Sequence, residues 1–294
     1  MYNIEKYYEA STVREAVQLL ADNPDLLVIA GGTDVLIKMH GGKIEKAGLL
    51  SLRKVKSLEA IEKSPDGLIS IGSLVTFTQL ANDPVIKDNI PALAEASLSM
   101  GGPQIRNMAT IGGNLCNGVP SADSAPALFA LDAQLRLQDK EGERVIPIQE
   151  FFLGPGKVAL KQGEILTEIL VSPENYNGYG GHYIKFSMRK AMDIATLGVA
   201  VVCKLKDKGT FDNVRIGLGV AGPTPLRCRE AEEYAREKAI SSQTLKEIAR
   251  IAVKSTKARS SWRASKEYRE HLVEELTWRA LKIAVGRAGG VEID

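Results

Sequence analysis

The chain has few residues that could hold a metal ion or form a disulfide bond. Among its 294 residues are 3 cysteines and 3 histidines, and Cys116, Cys203 and Cys228 lie far apart with no Cys-x-x-Cys pair. This spacing suits neither a disulfide framework nor a zinc or iron–sulfur site. The sequence therefore predicts no metal bound by this chain, and its histidines are expected to be ordinary packed or surface side chains.

Charge and hydropathy argue against several further classes of protein. The net charge is +2, which predicts no surface for nucleic acid or an anionic membrane. No apolar run approaches the roughly 18 residues that span a bilayer. The first segment, "MYNIEKYYEASTVREAVQLL", carries early acidic residues and lacks the apolar core of a signal peptide. We therefore expect a cytoplasmic protein with one to three domains.

The first half of the chain predicts a mixture of helices and strands. Thr12 and Glu15 have the spacing of a capping box, and apolar residues at helical spacing follow them. The strand-like segments are "LLVIA", "LISIGS", "AQLRLQ" and "EILTEILV". The helix-like segments are "TFTQLAND", "IPALAEASLSM" and "SAPALFALDA".

A domain boundary is predicted at "SPENYNGYGGH", residues 172–182, which is rich in Gly, Pro, Asn and Tyr. Beyond it, "HYIKFSMR", "TLGVAVVCKLK" and "VRIGLGVA" favour strands. Two helices end the chain, the first expected to be capped by Thr244 with Glu247. The apolar stripe of the second is expected to face the core, and it contains Tyr268, Leu272, Leu276, Ala280 and Ile283.

The first candidate binding site is "VIAGGTD", residues 28–34, where a predicted strand runs into two glycines, Thr33 and Asp34. Glycines let a ligand approach the backbone closely. The N–H groups of such a turn can bind phosphate oxygens, and a threonine can add its hydroxyl. A Gly-Gly pair after a strand is also common in simple turns, so this segment by itself leaves both interpretations open.

The second candidate is "ATIGGN", residues 109–114, which repeats the pattern of small residues, two glycines and a polar Asn114. Two such loops in one domain suit a pyrophosphate held from both sides. Asp123 follows in the same Gly-rich run and can accept a hydrogen bond from a ribose hydroxyl. A helix N-cap at Ser121, Asp123 or Ser124 is the alternative, and both roles are compatible.

Several familiar catalytic patterns are missing. No G-x-G-x-x-G opens a helix, no G-x-x-x-x-G-K-[ST] is present, and three scattered histidines support no Ser-His-Asp arrangement. Phosphate-binding loops without an acid–base pair are typical of a cofactor carrier, in which the cofactor performs the chemistry. We therefore predict no catalytic residue in this chain.

A series of sequence blocks resembles the FAD-binding (medium) subunit of molybdenum hydroxylases, whose flavin domain is of the vanillyl-alcohol-oxidase/PCMH type. More narrowly, it resembles the separate FAD subunit of bacterial xanthine dehydrogenases. The order and spacing of the blocks over residues 28–272 make the resemblance specific. The blocks are "AGGTDVLIKMH", "GPQIRNMATIGGNLCNGVPSADSA", "GPGKV", "KFSMRKAMDIATLG", "VAGPTPLRC" and "RSSWRASKEYREHL".

The resemblance implies a set of FAD-binding positions on both loops and beyond them. The first loop would wrap the pyrophosphate with Leu27, Val28, Ile29, Ala30, Gly31, Gly32, Thr33, Asp34 and Val35. The second would close on it with Thr110, Ile111, Gly112, Gly113 and Asn114. The remaining implied contacts are Asp123 for the ribityl or ribose hydroxyls, Ile165 or Leu166 near adenine, Lys185 near the flavin, and Ile194 by the isoalloxazine ring. The alternative for Lys185 is an exposed lysine on a strand.

The resemblance also implies an α+β architecture. A PCMH-type FAD-binding domain of two subdomains would span residues 1–176. A C-terminal domain of residues 177–294 would combine a small antiparallel sheet with a helical bundle. A molybdopterin-binding partner subunit would oxidise a purine, and a partner with [2Fe-2S] clusters would pass electrons to FAD on this chain, which would reduce NAD+.

The chain departs from the family pattern in two respects. Met100 stands where animal xanthine dehydrogenases have an aromatic residue against the flavin, and a thioether can pack on a ring face. Some relatives carry an extra iron–sulfur cluster in an insertion, for which this chain lacks the cysteines. The basic segment from Arg259 to Arg269 is expected either to form a subunit contact or to end a packed helix.

Three alternative functions follow from the same residues. The subunit could serve a hydroxylase for nicotinate, an aldehyde, carbon monoxide or another heterocycle. It could be a stand-alone flavoprotein oxidoreductase, although no acid–base residues of a substrate pocket are evident. It could also be a non-catalytic binding module, which a flavin absorption spectrum would exclude.

Overall fold

The computed structural model describes residues 3–291, which form four β-sheets and the helices that cover them. The strands are β1 (Ile4–Glu9), β2 (Leu26–Ile29), β3 (Ala47–Ser51), β4 (Ile61–Lys63), β5 (Ile69–Gly72), β6 (Gln134–Gln138), β7 (Glu143–Pro147), β8 (Phe152–Gly154), β9 (Lys157–Val158), β10 (Ile165–Val171), β11 (Tyr179–Phe186), β12 (Leu197–Asp207), β13 (Thr210–Gly219) and β14 (Leu226–Arg227). The helices are α1 (Val13–Asp22), α2 (Val35–His40), α3 (Phe77–Asn82), α4 (Pro84–Asn89), α5 (Pro91–Leu98), α6 (Pro103–Arg106), α7 (Ile111–Cys116), α8 (Ser124–Ala130), α9 (Ile148–Phe151), α10 (Arg229–Ala235), α11 (Ser242–Val253) and α12 (Lys266–Arg287).

The first sheet is parallel, in the order β1-β3-β2, with one helix on each face. Helix α1 begins after Thr12, whose side chain accepts a hydrogen bond from the Glu15 N–H, as the sequence predicts. The Glu15 carboxylate binds the N–H of Ser11. On the opposite face, Met39 of α2 packs against Leu49 of β3. The Gly-Gly loop follows the end of β2 and lies at the edge of this subdomain, where it lines a cleft.

The second sheet is antiparallel, in the order β4-β5-β10-β6-β7. Its central strand, β10, is buried along almost its whole length. Helices α3, α5, α7 and α8 contribute residues to the core that it shares. The small hairpin of β8 and β9 extends this region.

The third large sheet is antiparallel, in the order β11-β12-β13-β14, and it is buried on both faces. Ala200 and Val202 of β12 join the core of the second sheet, whereas Val199 and Val201 pack with residues of α10, α11 and α12. This explains the uninterrupted apolar run "LGVAVVC", since neither face of the strand meets water. The predicted α+β class is confirmed.

Two details of the C-terminal helices differ from the expectation. Helix α11 is capped by Ser241, which accepts a hydrogen bond from the N–H of Thr244, so the helix begins before the predicted cap. In α12, Tyr268 and Ile283 are 43% and 40% exposed, because they lie beside the face that packs on the sheet. Within the described residues, no helix combines the length and hydropathy that crossing a bilayer requires.

An ion cluster connects the second and third sheets. Asp132, in the turn before β6, lies 2.5 Å from the guanidinium of Arg227 and 3.2 Å from that of Arg215. Arg227 also makes two hydrogen bonds to Glu232, of 2.7 and 2.8 Å. Arginines so deeply buried need such partners, and together they orient the C-terminal sheet against the domain that contains the two Gly-Gly loops.

Candidate functional site

A cleft of about 260 Å³ lies between the parallel sheet and the antiparallel sheet that follows it. Its walls come from the loop after β2, the turn after β5, the segment around α7 and the start of β10. Both predicted Gly-Gly loops therefore meet at one place. The predicted residues that line the cleft are Val28, Ala30, Gly31, Gly32, Thr33, Asp34, Val35, Met100, Thr110, Gly112, Gly113, Asn114, Ile165 and Leu166.

The other predicted site residues do not line this cleft. Ile29 packs with Met39 on the far side of the parallel sheet, and Leu27 alternates with Val28 onto that same far face. Ile111 is fully buried in the core under α7. The remaining three residues, Asp123, Lys185 and Ile194, lie outside the cleft lining.

The first loop presents unpaired backbone donors. Within residues 3–291, the N–H groups of Gly31, Gly32, Thr33 and Asp34 have no protein acceptor. Gly32 has a φ of +74°, a conformation that glycine adopts without strain. Successive unpaired amides in such a turn form a concave anion-binding surface, which agrees with the interpretation of this loop as a phosphate-binding turn.

The second loop differs, because its amides are already paired. Gly112 donates to the carbonyl of Ser73 at 2.9 Å, and Gly113 donates to the Thr110 hydroxyl at 3.1 Å. Asn114 donates to the Thr110 carbonyl at 3.0 Å, as in a first helical turn. These N–H groups are used at the start of α7, so Gly112, Gly113 and Asn114 offer no unpaired amides to a ligand. The second loop lines the cleft, but without unpaired N–H groups at these three residues.

The glycines of the two loops have different physical roles. A Cβ at Gly31 would stand 2.6 Å from the carbonyl carbon of Met108, and one at Gly112 would stand 2.6 Å from the Cβ of Ser73. Both distances are too short for a side chain, so these glycines permit backbone packing. A Cβ at Gly113 would meet only the Thr110 hydroxyl oxygen, at 3.0 Å, so Gly113 is open toward the cleft.

Three charged side chains are among the residues that line the cleft: Asp34, Lys38 and Glu164. Glu164 is neutralised by Arg144, which donates two hydrogen bonds of 2.6 and 2.7 Å, and by the N–H of Lys161. Burial raises the pKa of Glu164, but these hydrogen bonds outweigh it and bring the pKa below its ordinary 4.5. Sequence reasoning missed Glu164, although it directly precedes the predicted Ile165.

Lys38 is a second residue that sequence reasoning missed. It lies on α2, one helical turn after Asp34, and its ammonium is 2.6 Å from the side-chain oxygen of Asn117. Within residues 3–291 no carboxylate lies within ion-pair distance of this ammonium. The signal for it was its place in "AGGTDVLIKMH", where it follows the loop at the i+4 position of a helix.

Thiol and metal chemistry are not supported by the described residues. Burial raises the pKa of Cys116, Cys203 and Cys228 to about 12, so their thiols stay protonated at neutral pH. No group of three or more His, Cys, Asp and Glu side chains in the described ranges is arranged to hold a metal ion.

Asp123 and Lys185 form a buried ion pair near the cleft. The Lys185 ammonium lies 2.9 Å from the Asp123 carboxylate, and both side chains are less than one-tenth exposed. The alternative of an exposed Lys185 is therefore wrong. Asp123 stands at the N-cap position of α8, but its side chain makes no capping bond because it is directed to Lys185. Burial raises the pKa of Asp123, and the ammonium acts in the opposite direction.

The segment after β11 lies against the start of the Gly-rich run. Met192 donates its N–H to the carbonyl of Gly101 at 3.0 Å, beside Met100 of the cleft. Ile194, in the same segment, is 49% exposed. Lys185 also hydrogen-bonds the carbonyl of Ser99, so this segment and the buried ion pair converge on the Met100 end of the cleft.

Comparison with known proteins identifies the family. Residues 2–173 match the FAD binding domain in molybdopterin dehydrogenase, and residues 182–284 match the CO dehydrogenase flavoprotein C-terminal domain. The chain belongs to the molybdopterin dehydrogenase FAD-binding family. A member of this family, the xanthine dehydrogenase FAD-binding subunit of Escherichia coli O157:H7, is 43% identical over 290 residues, which cover 99% of each chain.

Two other similar proteins are named for different activities. The nicotinate dehydrogenase FAD-subunit of Eubacterium barkeri is 34% identical over 78% of each chain. The structure of carbon monoxide dehydrogenase from Hydrogenophaga pseudoflava, in a form that lacks the Mo-pyranopterin moiety of its cofactor, superimposes with a TM-score of 0.92 at 29% identity. That comparison covers 98% of this chain and 99% of the other. This chain is thus an FAD-binding oxidoreductase subunit of the molybdenum hydroxylase family.

Proposed function

We propose that this chain is the electron-transfer subunit of a xanthine dehydrogenase-like molybdenum hydroxylase, taking electrons from [2Fe-2S] clusters of a partner subunit and reducing NAD+. The observation that carries the proposal is the cleft where the two loops meet, lined by the unpaired amides of Gly31–Asp34 and open at Gly113. In this proposal a molybdopterin-binding partner oxidises the purine.

The described residues fit FAD at this cleft. The amides of the first loop would bind the diphosphate, and the open face of Gly113 leaves room for it. Ile165 and Leu166, at the start of β10, would form an apolar wall for the adenine half. Met100 would contact the flavin from the opposite end, where its flexible thioether suits a ring face.

The protein's contribution is binding and orientation. When bound, FAD collects electrons from one-electron donors and delivers two of them together as a hydride, which is the chemistry NAD+ requires. The loops would exclude water from the diphosphate, and the cysteines would remain inert thiols because of their raised pKa. Asp123 and Lys185 would support the flavin end of the site, and Ile194 would approach the ring from the segment after β11.

The division into domains is part of the proposal. An FAD-binding domain of residues 1–176, itself made of two subdomains, and a C-terminal domain of residues 177–294 are supported by the two separate family matches. The change of sheet at β11 falls at this boundary. A cytoplasmic location stays a prediction.

A second candidate is the FAD subunit of a related hydroxylase. It is favoured by the similarity of this chain to subunits named for nicotinate and carbon monoxide dehydrogenases. The substrate would be bound by a partner subunit in both cases, so the cleft is compatible with either candidate.

The test is to purify the native complex through this chain and measure its flavin, iron and molybdenum. We expect all three, together with NAD+ reduction that depends on a purine. Nicotinate, aldehydes and carbon monoxide serve as alternative substrates, and oxygen and ferredoxin as alternative acceptors. Turnover of one of those substrates without purine turnover would support the second candidate. A native complex with flavin but neither iron nor molybdenum would contradict both candidates and favour a stand-alone flavoprotein.

A further inference from the structure

Lys38 is the one cation among the described residues that line the cleft. The other charged groups there do not offset an anion: Glu164 is neutralised by Arg144, and Asp34 is itself negative. Any strongly anionic ligand of this cleft therefore meets a single positive charge, that of Lys38.

The Lys38 ammonium bridges the two walls of the cleft. Lys38 belongs to α2, which directly follows the loop of unpaired amides, whereas Asn117 ends α7 on the facing wall. The 2.6 Å hydrogen bond to Asn117 uses one of the three donors of the ammonium. Within residues 3–291 it has no other protein acceptor, so two donors are available to a ligand.

We infer that Lys38 binds the diphosphate of FAD and that Asn117 is a positioning residue for its ammonium. The inference rests on the proposed FAD site and adds a residue to it. A diphosphate carries about two negative charges, and backbone amides offer only partial positive charge. A full charge held at the end of the amide loop supplies the missing compensation, and lysine is a common phosphate binder.

The experiment measures FAD binding to the full-length apoprotein, with Lys38→Met removing the charge at similar length. We expect the dissociation constant to rise about ten- to a hundred-fold, the usual range for a hydrogen bond to a charged group. Lys38→Arg should stay within a few-fold of the wild type, since it retains the charge. Lys43→Met is the matched control, because Lys43 is exposed beyond the end of α2 and outside the cleft lining.

Competition by fragments of the cofactor separates a diphosphate contact from a structural role. ADP should compete with FAD more weakly in Lys38→Met than in the wild type, whereas competition by adenosine, which lacks phosphate, should be unchanged. Raising the ionic strength should weaken FAD binding more in the wild type than in Lys38→Met. Asn117→Ala should weaken ADP and FAD less than Lys38→Met does, because the charge remains.

The outcomes distinguish this inference from the proposed function. If the wild type binds no FAD, the proposed function fails. If the wild type binds FAD and Lys38→Met binds it equally well, the inference alone is overturned. Equal weakening of ADP and adenosine would show a structural role and would also overturn it. If Lys38→Met does not fold, Lys38→Gln replaces it, because the glutamine amide keeps a donor for Asn117. The same competition by ADP and adenosine is then measured with that variant.

Discussion

Gly31 packs directly against the backbone of Met108, so closely that a Cβ would stand 2.6 Å from the Met108 carbonyl carbon. These residues lie far apart in the sequence: Gly31 is in the first loop, and Met108 directly precedes the second. The contact is possible because glycine has no side chain. It brings the unpaired amides of the first loop beside the surface of the second.

We expect Gly31→Ala to force the two loops apart. The neighbouring atoms belong to the backbone and cannot rotate away, so the unfolding free energy should fall by about 1–3 kcal/mol or more. FAD binding should weaken because the cleft changes shape. Urea denaturation and FAD titration provide the two measurements.

The control for Gly31→Ala is Gly142→Ala, in the turn between β6 and β7, where an added Cβ would meet no atom within 4 Å. It should leave both measurements near the wild-type values. Equal effects of the two substitutions would mean that the contact between Gly31 and Met108 is not tight in solution.

Gly113→Val should have the opposite balance of effects. Its side chain would project into the cleft, where a Cβ meets only the Thr110 hydroxyl. The capping hydroxyl of Thr110 must give way to the new Cβ, so we expect the unfolding free energy to fall by about 1 kcal/mol, less than for Gly31→Ala. The flavin content of the purified protein should fall to nearly zero, and Gly142→Val should retain flavin. Full flavin occupancy in Gly113→Val would refute the assignment of this loop to the phosphate site.

The Asp123–Lys185 pair calls for a double-mutant cycle. Removing one partner leaves a buried charge alone, so Asp123→Asn and Lys185→Met should each cost about 3–5 kcal/mol of stability. The double variant should recover much of that loss. If the pair contacts the flavin, FAD affinity should stay low in the double variant although stability returns. Recovery of both would indicate that the pair acts only on the fold.

The contribution of Glu164 to the unfolding free energy should decrease at acidic pH. Its pKa in the folded chain lies below the ordinary 4.5, because the hydrogen bonds from Arg144 and Lys161 outweigh burial. A depressed folded pKa contributes stability that is present above the ordinary value and is lost as the pH falls through the folded value. Glu164→Gln should therefore be less stable than the wild type at neutral pH, and this gap should shrink below pH 4.5.

Urea denaturation across that pH range measures the gap. Glu174→Gln is the matched control, since Glu174 is exposed and has no ion-pair partner in the described part of the chain. Other carboxylates lower the stability of all variants alike, so the difference between variants is the informative quantity. A gap of constant size down to the lowest pH would show that Glu164 does not titrate with folding.

Much of the local structure was predictable, because it depends on residues close in sequence. Thr12 caps α1 as expected, and the strands around "LISIGS", "AQLRLQ" and "EILTEILV" form where their patterns predict. The helix at α11 shows the limit of such reasoning. Ser241 and Thr244 are both good caps, and in the structure Ser241 caps the helix by accepting a hydrogen bond from the N–H of Thr244.

The candidate site shows the same division. The composition of "AGGTD" and "ATIGGN" marked both loops by residue type alone, and the family resemblance related them to a flavin. The resemblance did not reveal that the amides of Gly112, Gly113 and Asn114 are already paired, while those of Gly31–Asp34 remain unpaired. Hydrogen-bond pairing depends on partners such as Ser73, which lie elsewhere in the chain.

The sequence by itself determined several of the strands and helices, the α+β class and the positions of the two glycine loops, because each depends on local pattern and composition. Only the tertiary structure decided that Gly31 meets Met108, that Lys38 reaches Asn117 across the cleft, and that Lys185 is buried with Asp123. The physical reason is that these contacts form between segments far apart in the sequence, which the packing of the sheets and helices brings together. Their geometry follows from how those sheets pack, and local preference carries no information about it.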